Sequence, residues 1–499
     1  MIQFNEIQNA VAPYMQAEID NSNAVQGPRS LPYRLLLIGS ATSAGTLSAA
    51  QLMPFTSADE AGTFWGTGSQ LHQMAEAAKR TFKTAAIYGI AAAKDDLTSA
   101  TNKATGSIVF TVSSPKAGTI AVYIGGRRVA VAISAGATVG VISEAVAAAI
   151  NADTAMGVVA EGTTVAGTVT LTAKNVGTEG NRISIKLNYQ DGEIMPSGVT
   201  AVITAMNGGS GNPDITTALD AIAEEWFPLV ACAFTDAANL TVLDSEMERK
   251  FGAIAGIDGV VFMADDAAFS TLISSYDASA SGINSKHICV IGTTSIPNVT
   301  WEIAAEVAGA AITALRAGNG AEAMPFTTLE LPVILAPKSA DRYDFLERNT
   351  LLESGVSTLI VGAGGRVRID RLVTNYQKNA QGAADASWRN VNYRFIAMYL
   401  RWDWIFNVLY SKYGRAKLAS DNARIGPGQV VMTPKLGAAE ALARFRMWEE
   451  LGLVENYEQF KADLLVERNA TNVDRMDWLM SPDFVNQFYH GATKISFRV

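Results

Sequence analysis

Buried strand-like runs alternate with helix-like periodicities over two parts of the chain, and this alternation predicts an α/β fold. Residues 33–39 (YRLLLIG) form a continuous apolar run, as in a strand that is covered on both faces. Leu71, Met74 and Ala78 then mark one face of a helix, and residues 84–90 repeat the apolar run. Three more strands are predicted at 229–234, 259–263 and 286–291, between helices near 215–227, 238–254, 267–277 and 299–316. We expect one mostly parallel sheet with helices on its faces.

Residues 100–211 show the alternation of apolar and polar residues that is typical of half-buried strands. Ile108, Phe110 and Val112 begin this pattern, and Gly125-Gly126 separates two further alternating runs, as a two-residue hairpin turn would. A helix is predicted from the apolar spacing between 139 and 150, and more strands are predicted at 168–172, 183–187 and 199–203. Because the α/β alternation resumes afterwards, we expect a β-rich domain inserted into the α/β domain.

A strand, a glycine turn, a second strand and an aromatic helix are predicted in turn between residues 351 and 413. The first strand spans 356–361, residues 362–365 (GAGG) make the turn because glycine tolerates positive φ, and the chain returns over 366–374. Gly414 lies where a helix-terminating glycine is expected. The helix carries one stripe at spacings of four and three, made by Phe395, Tyr399, Trp402, Phe406, Leu409 and Tyr413. This pattern indicates a large buried helix packed on the strand pair.

Both ends of the chain have the pattern of extended arms. Residues 1–30 are polar and have no sustained period, whereas the last residues, KISFRV, alternate as a strand does. A terminal strand must pair with something or remain a sticky edge, so the two ends suggest strand addition between subunits. The predicted arm residues are Ile2 and Phe4 at the N-terminus, Ile495, Phe497 and Val499 on one face of the C-terminal strand, and Lys494 and Arg498 on its other face.

The patterns together predict an α/β, multidomain protein with extended terminal arms. The last large domain is α+β, with two further helices near 438–451 and 457–464. We expect an N-terminal arm at 1–30, a discontinuous α/β domain at 31–99 and 212–335, an inserted β-rich domain at 100–211, an inner C-terminal domain at 336–489 and a C-terminal strand arm at 490–499.

Composition excludes some classes of function. The chain has 499 residues, a formal charge of −9 and a pI near 5.1, whereas a general nucleic-acid binder is normally basic. Cys232 and Cys289 lie in apolar runs and are expected to be reduced core residues. No signal peptide and no membrane-spanning segment is expected, because the N-terminus lacks a basic region before an apolar run and the apolar stretch 303–315 is too short.

No motif predicts a catalytic, cofactor-binding or metal site. The loop from Gly39 to Gly45 has five residues between its glycines and no lysine, so it does not fit a Walker loop. It does not fit a dinucleotide-binding loop either, because Ala41 and Ala44 occupy the second and third glycine positions. His72, His287 and His490 are far apart in sequence and lack neighbours with ligand spacing. We therefore expect an ordinary strand-to-helix loop and no bound metal.

A basic ridge on the second strand of the predicted pair is the strongest candidate for an interface. Arg366, Arg368 and Arg371 lie along this strand, and Val367 and Ile369 point to its buried side. The ridge is either an ordinary exposed strand face near Asp370 or an interface with acidic residues of another subunit. We take the strand as the candidate acceptor for a neighbour's arm.

Several segments, in their order and spacing, also resemble a known family. They are AVQG before YRLLLIG, then FWGTGSQLHQMAEAAKR (64–80), IGGRRVAVAISAGAT with AAAIN (124–151), VTLTAKNVGTEGN (169–181), GGRVRIDRLVTNYQKNAQGAADASW (364–388), PGQVVMTPK (427–435), GLVENYEQFKADLLVERN (452–469) and KISFRV (494–499). With these segments the chain resembles the contractile tail sheath proteins of Mu-like phages and prophages over nearly its whole length.

The resemblance implies a non-enzymatic structural subunit. Sheath subunits stack as hexameric rings in a helical polymer around a tail tube, and their terminal arms complete the sheets of neighbouring copies. The implied partners are further copies of the chain, the tail tube protein, and the baseplate and tail terminator proteins, with no nucleic acid and no direct membrane insertion. The implied location is the virion tail, assembled in the host bacterial cytoplasm, where contraction drives the tube through the host envelope.

Two alternatives stay open at this point. The assembly could serve an R-type bacteriocin or a type VI-like secretion machine, since the sequence does not separate these sheaths. From another class, an α/β enzyme could bind a nucleotide or small acid at the carboxyl edge of the parallel sheet.

Overall fold

The computed structural model describes residues 31–83, 85–97, 101–280 and 282–498. Ile2 and Phe4, with the rest of the predicted N-terminal arm, and Val499 lie outside the described residues. Numbered along the chain, the first strands are β1 (Leu35–Thr42), β2 (Met53–Phe55), β3 (Ile87–Asp95), β4 (Lys103–Val112), β5 (Gly118–Ile124), β6 (Arg127–Ile133), β7 (Val158–Gly162), β8 (Thr168–Val176), β9 (Ile185–Leu187) and β10 (Val199–Asn207). They are followed by β11 (Leu229–Cys232), β12 (Val260–Asp265), β13 (Ile288–Gly292), β14 (Val356–Val361), β15 (Val367–Arg371), β16 (Lys417–Leu418), β17 (Val431–Met432), β18 (Val454–Glu455), β19 (Leu465–Arg468), β20 (Met476–Leu479) and β21 (Asp483–Phe484).

The helices lie between these strands and in the C-terminal quarter of the chain. They are α1 (Ala58–Trp65), α2 (Gln70–Thr81), α3 (Val139–Ala152), α4 (Thr216–Asp220), α5 (Ala237–Phe251), α6 (Phe269–Tyr276), α7 (Thr300–Leu315), α8 (Phe345–Glu353), α9 (Val391–Trp402), α10 (Ser411–Tyr413), α11 (Pro434–Glu450) and α12 (Tyr457–Asp463). Within the described ranges, no helix has both the length and the apolar content that a membrane span needs.

The predicted parallel sheet is confirmed as the centre of the fold. Its strand order is β15-β14-β13-β12-β11-β1-β3-β2, and the inner pairs from β3 to β14 are parallel. Every residue of β1, β11, β12 and β13 is buried, as the continuous apolar runs require of strands that are covered on both faces. Only β2 and β15, at the two ends, are antiparallel to their neighbours.

The strand pair predicted at 356–374 belongs to this central sheet. β14 pairs in parallel with β13, and β15 returns beside β14 through a turn in which Gly364 and Gly365 have φ of 83° and 78°. The glycine turn is therefore confirmed. The prediction that the pair supports the aromatic helix is wrong, because α9 packs elsewhere: the Phe395 ring lies 6.3 Å from that of Tyr33 and 5.9 Å from that of Phe326.

Two small antiparallel sheets and α3 form from residues 103–207. The four-stranded sheet has the order β10-β4-β8-β7 and the three-stranded sheet the order β6-β5-β9. The predicted hairpin is confirmed, since Gly125 and Gly126 join β5 to β6 with φ of 55° and 83°. Arg127, directly after this turn, contacts Glu76 on α2 and lies 3.0 Å from Glu302 on α7, so the hairpin tip is tied to the central layers.

The spacing predicted for the aromatic stripe holds only as far as Trp402, where the α-helix ends. From Asp403 to Tyr410 the helix is a π-helix, whose i→i+5 hydrogen bonds widen each turn. The inward positions therefore shift, so that Trp404 and Val408 are buried whereas Phe406 is 49% exposed. Gly414 does end the helix, but with φ of −59° and not in the left-handed conformation.

A buried arginine fixes α9 to the central layers. The Arg394 side chain is fully buried, and its Nη2 donates to Asp258 Oδ2 at 2.7 Å. Its guanidinium lies 4.7 Å from the ring centre of Phe251 and 5.0 Å from that of Trp388. Because a buried charge without its partner is costly, this pair holds the helix in one position.

Candidate inter-subunit surfaces

Both edges of β15, the predicted acceptor strand, are already paired within the chain. One edge pairs with β14. On the other edge, Thr328 N–H donates to the Ile369 carbonyl (2.9 Å), Ile369 N–H donates to the Leu329 carbonyl (3.0 Å) and Leu331 N–H donates to the Val367 carbonyl (3.0 Å). Val367 and Ile369 are buried, as predicted, with 1% and 0% exposure. Whether a neighbour's arm pairs here remains a prediction, but such pairing requires segment 328–331 to leave.

The basic ridge has acidic partners in its own chain. Arg366 and Arg368 each donate to a carboxylate oxygen of Glu330 at 2.7 Å. These hydrogen bonds hold the pKa of Glu330 below its usual value. Arg371 donates to Asn390 Oδ1 at 2.6 Å, and its guanidinium lies 4.3 Å from the ring centre of Tyr489. Arg366, Arg368 and Arg371 therefore already have hydrogen-bond partners within their own chain.

The C-terminal segment is anchored up to Tyr489 and exposed beyond it. β21 pairs with β18, Tyr393 Oη donates to Asn486 Oδ1 at 2.7 Å, and Asn390 Nδ2 donates to Gln487 Oε1 at 3.2 Å. Residues 491–498 are all exposed and form no strand within the chain. The predicted arm residues are among them: Lys494 and Arg498, with Ile495 at 85% and Phe497 at 84% exposure.

A two-stranded hairpin that the sequence analysis missed has open edges. β19 and β20 pair only with each other, in the register Leu465↔Leu479, Val466↔Trp478, Glu467↔Asp477 and Arg468↔Met476. Within the described part of the chain, no other segment forms backbone hydrogen bonds with the outer edges of these two strands. The signal that could have found it is the turn-rich NATN sequence at 469–472 between two short runs with apolar residues.

The inner face of the hairpin, apolar except for Arg468 at the turn end, rests on α11. Met476 and Trp478 approach Gly437 so closely that a Cβ there would lie 3.0 Å from each side chain. The Trp478 ring also lies 5.8 Å from that of Trp404. Trp404 in turn lines an apolar groove of about 290 Å³ together with Ile405, Trp448, Met480 and Phe484. Apolar surface therefore continues beside the hairpin.

At the carboxyl edge of the central sheet, where an α/β enzyme would bind its ligand, the part next to β11 and β12 is filled by a side chain of the chain itself, and a cavity of about 220 Å³ remains beyond β13 and β14. Arg182 reaches over this edge from a short 3-10 turn, contacts Asp266 and lies 2.7 Å from Asp265 Oδ1 and 3.1 Å from Thr235 Oγ1. Burial raises the pKa of Glu179, which ion-pairs with Arg182, to about 7. The cluster is internally satisfied, which favours a structural role over ligand binding at this edge.

The histidines are separated in the structure as in the sequence. His287 is buried beside Glu248 and Arg394, and burial, reinforced by the Arg394 charge, lowers its pKa to about 4. His72 is buried at the start of α2, and His490 is at the root of the C-terminal arm. Among the described residues, no group of three or more His, Cys, Asp or Glu side chains could hold a metal ion.

Comparison with known proteins identifies the family. The chain matches the model "Phage tail sheath protein central domain" over residues 208–375 and the model "Phage tail sheath C-terminal domain" over residues 383–498. It is 36% identical over 499 residues to the Mu-like prophage FluMu tail sheath protein of Haemophilus influenzae, and the match covers 99% of each protein. A crystal structure of a sheath tail protein from Desulfitobacterium hafniense matches with a TM-score of 0.46 and 11% identity, covering 94% of this chain and 100% of that one.

A relative that is 36% identical along the whole chain decides the assignment, and the two domain matches agree with it. Tail sheath proteins are non-enzymatic structural components of the virion tail. The resemblance seen in the sequence and the prediction that the chain is not an enzyme are thereby confirmed. The chain belongs to the phage tail sheath family, as a tail sheath protein of the Mu-like prophage type.

Proposed function

We propose that this protein is the subunit of a contractile tail sheath, which polymerises as stacked hexameric rings around a tail tube and contracts to drive the tube through the host envelope. The observation that carries the proposal is the exposed, alternating C-terminal segment in a chain that also has a two-stranded hairpin with open edges. A strand donor and a strand acceptor in one chain allow each copy to join the next. Repetition of that heterologous contact builds a ring or a helical polymer.

The hairpin β19–β20 is the better acceptor for a neighbour's arm. Its edges are open, whereas β15 is covered by segment 328–331. A third strand on the hairpin gains main-chain hydrogen bonds without displacing any part of the acceptor chain. We retain β15, with its ridge of arginines, as the second candidate, because it terminates the large sheet and its cover is a short segment.

The C-terminal arm is anchored to its own subunit just before Tyr489, which would let the subunit rotate while its arm stays bound to a neighbour. The body of each subunit would rotate outward during contraction, while the arm keeps its main-chain bonds to the neighbour. Chain beyond Tyr489, with Gly491 near its start, would absorb the rotation, because glycine has few conformational restrictions. Even a gain of ~2–5 kcal/mol per subunit, the scale of a conformational bias, adds up over many subunits.

The partners follow from this role. The polymer would surround the tail tube protein and meet the baseplate and tail terminator proteins at its two ends, after assembly in the bacterial cytoplasm. We propose the domain partition given above with one adjustment: β14 and β15 belong to the α/β domain, because they extend its sheet. The family matches, which meet between residues 375 and 383, support a boundary there.

Removal of residues 493–499 tests the proposal. We expect the truncated chain to fold and stay soluble but to form no polymer, because residues 493–498 are exposed and lie outside the core. Circular dichroism would check the fold, and negative-stain images would check for hollow striated tubes. A matched control keeps the length and changes Ser496 to Ala, which should polymerise normally. Long sheaths from the truncated chain would refute strand exchange through this arm.

A further inference from the structure

The β19–β20 hairpin has two chemically different faces. Cross-strand partners share a face, so Val466 and Trp478 lie on the inner face over α11 together with the pair Met476 and Arg468, of which Arg468 is exposed at the turn end of the hairpin. The outer face holds Glu467 directly opposite Asp477, flanked by Leu465 and Leu479.

Two acidic side chains directly opposite each other are unfavourable in an antiparallel pair. Asp477 is partly compensated, since Arg475 Nε donates to it at 2.5 Å and Asn469 Nδ2 at 2.7 Å. Glu467 is exposed, and among the described residues it has no ion-pair partner. The outer face therefore carries negative charge that a basic strand alongside would stabilise.

The C-terminal arm has the complementary pattern. Its basic residues Lys494 and Arg498 lie on one face of the alternation, and Ile495 and Phe497 lie on the other. A strand placed beside the hairpin continues both faces of the sheet at once. If the basic face points outward next to Glu467 and Asp477, the apolar face points inward, toward the apolar surface that includes Trp404.

We propose that charge complementarity between Glu467 and Asp477 of one copy and Lys494 and Arg498 of a second copy sets which face of the arm points outward when it adds to the β19–β20 hairpin. The inference rests on the proposed function and deepens it by naming the residues that select the partner. A slip of the arm by one residue would place Ile495 and Phe497 on the outer face and turn the two cations toward the apolar side. Such a slip is disfavoured because both charges would lose water without gaining a partner.

Charge reversal in two chains tests this pairing. One variant carries Glu467→Lys together with Asp477→Asn, which makes the outer face positive and keeps an oxygen that can accept from Asn469, and the other carries Lys494→Glu together with Arg498→Glu. Each variant alone should raise the concentration needed for polymerisation by about 10-fold, because attraction is replaced by repulsion at every junction. Pelleting of the polymer over a range of protein concentrations measures this value. Glu458→Lys together with Asp463→Asn, an equal charge change at exposed positions on α12, is the control and should behave as the unchanged chain does.

An equimolar mixture of the two variants gives the decisive result. Each hairpin then finds a matching arm only on the other variant, so the mixture should polymerise near the normal concentration. Recovery in the mixture, without recovery in either variant alone, shows that the contact is between copies. Unimpaired polymerisation of the single variants, or a mixture that stays impaired, would overturn the charge pairing while leaving the sheath role intact. An unchanged chain that forms no polymer would overturn the sheath role itself, and the pairing with it.

Discussion

β15 and the β19–β20 hairpin both lie at the margin of a sheet, but of the two only the hairpin has edges whose backbone groups are not paired within the described chain. β15 has buried side chains, arginines bound to Glu330, and backbone groups paired on both sides. The hairpin has exposed side chains, an acidic outer face and free edges. The difference shows that a strand's place in a sheet does not decide whether it accepts a partner. What decides is whether the chain covers that edge itself.

β15 belongs to a body that contains buried ion pairs, and the pair of Arg394 with Asp258 tests their contribution most strongly. Changing Arg394 to Ala leaves Asp258 buried without its main partner and should lower the free energy of unfolding by about 3–5 kcal/mol. Denaturant-induced unfolding measures this loss. Arg366→Ala, at a side chain that is 71% exposed, is the control and should have a small effect. Equal losses in the two variants would contradict the distinction.

Segment 328–331 pairs with the outer edge of β15, and this pairing can be weakened at Leu331. Changing Leu331 to Pro removes the N–H that donates to Val367 and a buried side chain, and should cost roughly 3 kcal/mol of unfolding free energy. Leu331→Ala removes the side chain but keeps the N–H, so the difference isolates the backbone bond. We expect neither variant to polymerise better than the unchanged chain. Improved polymerisation of the proline variant would make β15 the acceptor.

A buried carboxyl group on α7 predicts how the closed body responds to pH. Glu306 is fully buried, and burial raises its pKa from 4.5 to about 8. Between these values the unfolded chain loses this proton and the folded chain keeps it, so this group lowers stability by ~1.4 kcal/mol per pH unit as pH rises. Glu306→Gln should remove that slope. Thermal unfolding from pH 5 to pH 8 measures it, with Glu161→Gln at an exposed position as the control. An unchanged slope in Glu306→Gln would contradict this assignment.

The smallest effect is expected at the salt bridges on β15. Glu330→Ala frees Arg366 and Arg368, both of which are at least partly exposed, so we expect little change in melting temperature. Polymerisation should also be unchanged if these arginines serve only their own chain. A clear gain or loss in the polymerisation concentration would show that the ridge meets another subunit.

Local runs of apolar residues were enough to predict the central strands of the large sheet. The apolar runs that became β1, β11, β12 and β13 are buried on both faces, and such strands leave a continuous apolar signal. The hairpin turn at Gly125-Gly126 was equally clear, because few residues other than glycine adopt positive φ twice in succession.

Other features depend on contacts that a local pattern does not contain. The aromatic stripe broke at Asp403, which is fully buried and accepts a hydrogen bond from Trp448 Nε1 at 2.7 Å, 45 residues along the chain. The outer edge of β15 is paired with segment 328–331, whose alternation TLEL is only four residues long and stops at Pro332. The β19 and β20 strands, LVER and MDWL, are four residues each and too short for a clear period. The alternation of residues 494–498 predicts an arm that pairs with another copy, and this pairing stays a prediction, because it depends on a second chain.

The central claim is that the open hairpin, and not β15, receives the arm of a neighbouring copy. A cryo-electron microscopy map of the assembled polymer tests it most directly, at a resolution that shows side chains. We expect a third strand from residues 494–498 of another copy beside β19–β20, with Lys494 and Arg498 near Glu467 and Asp477, and with segment 328–331 still paired to β15. An arm strand on β15 with segment 328–331 displaced would contradict it.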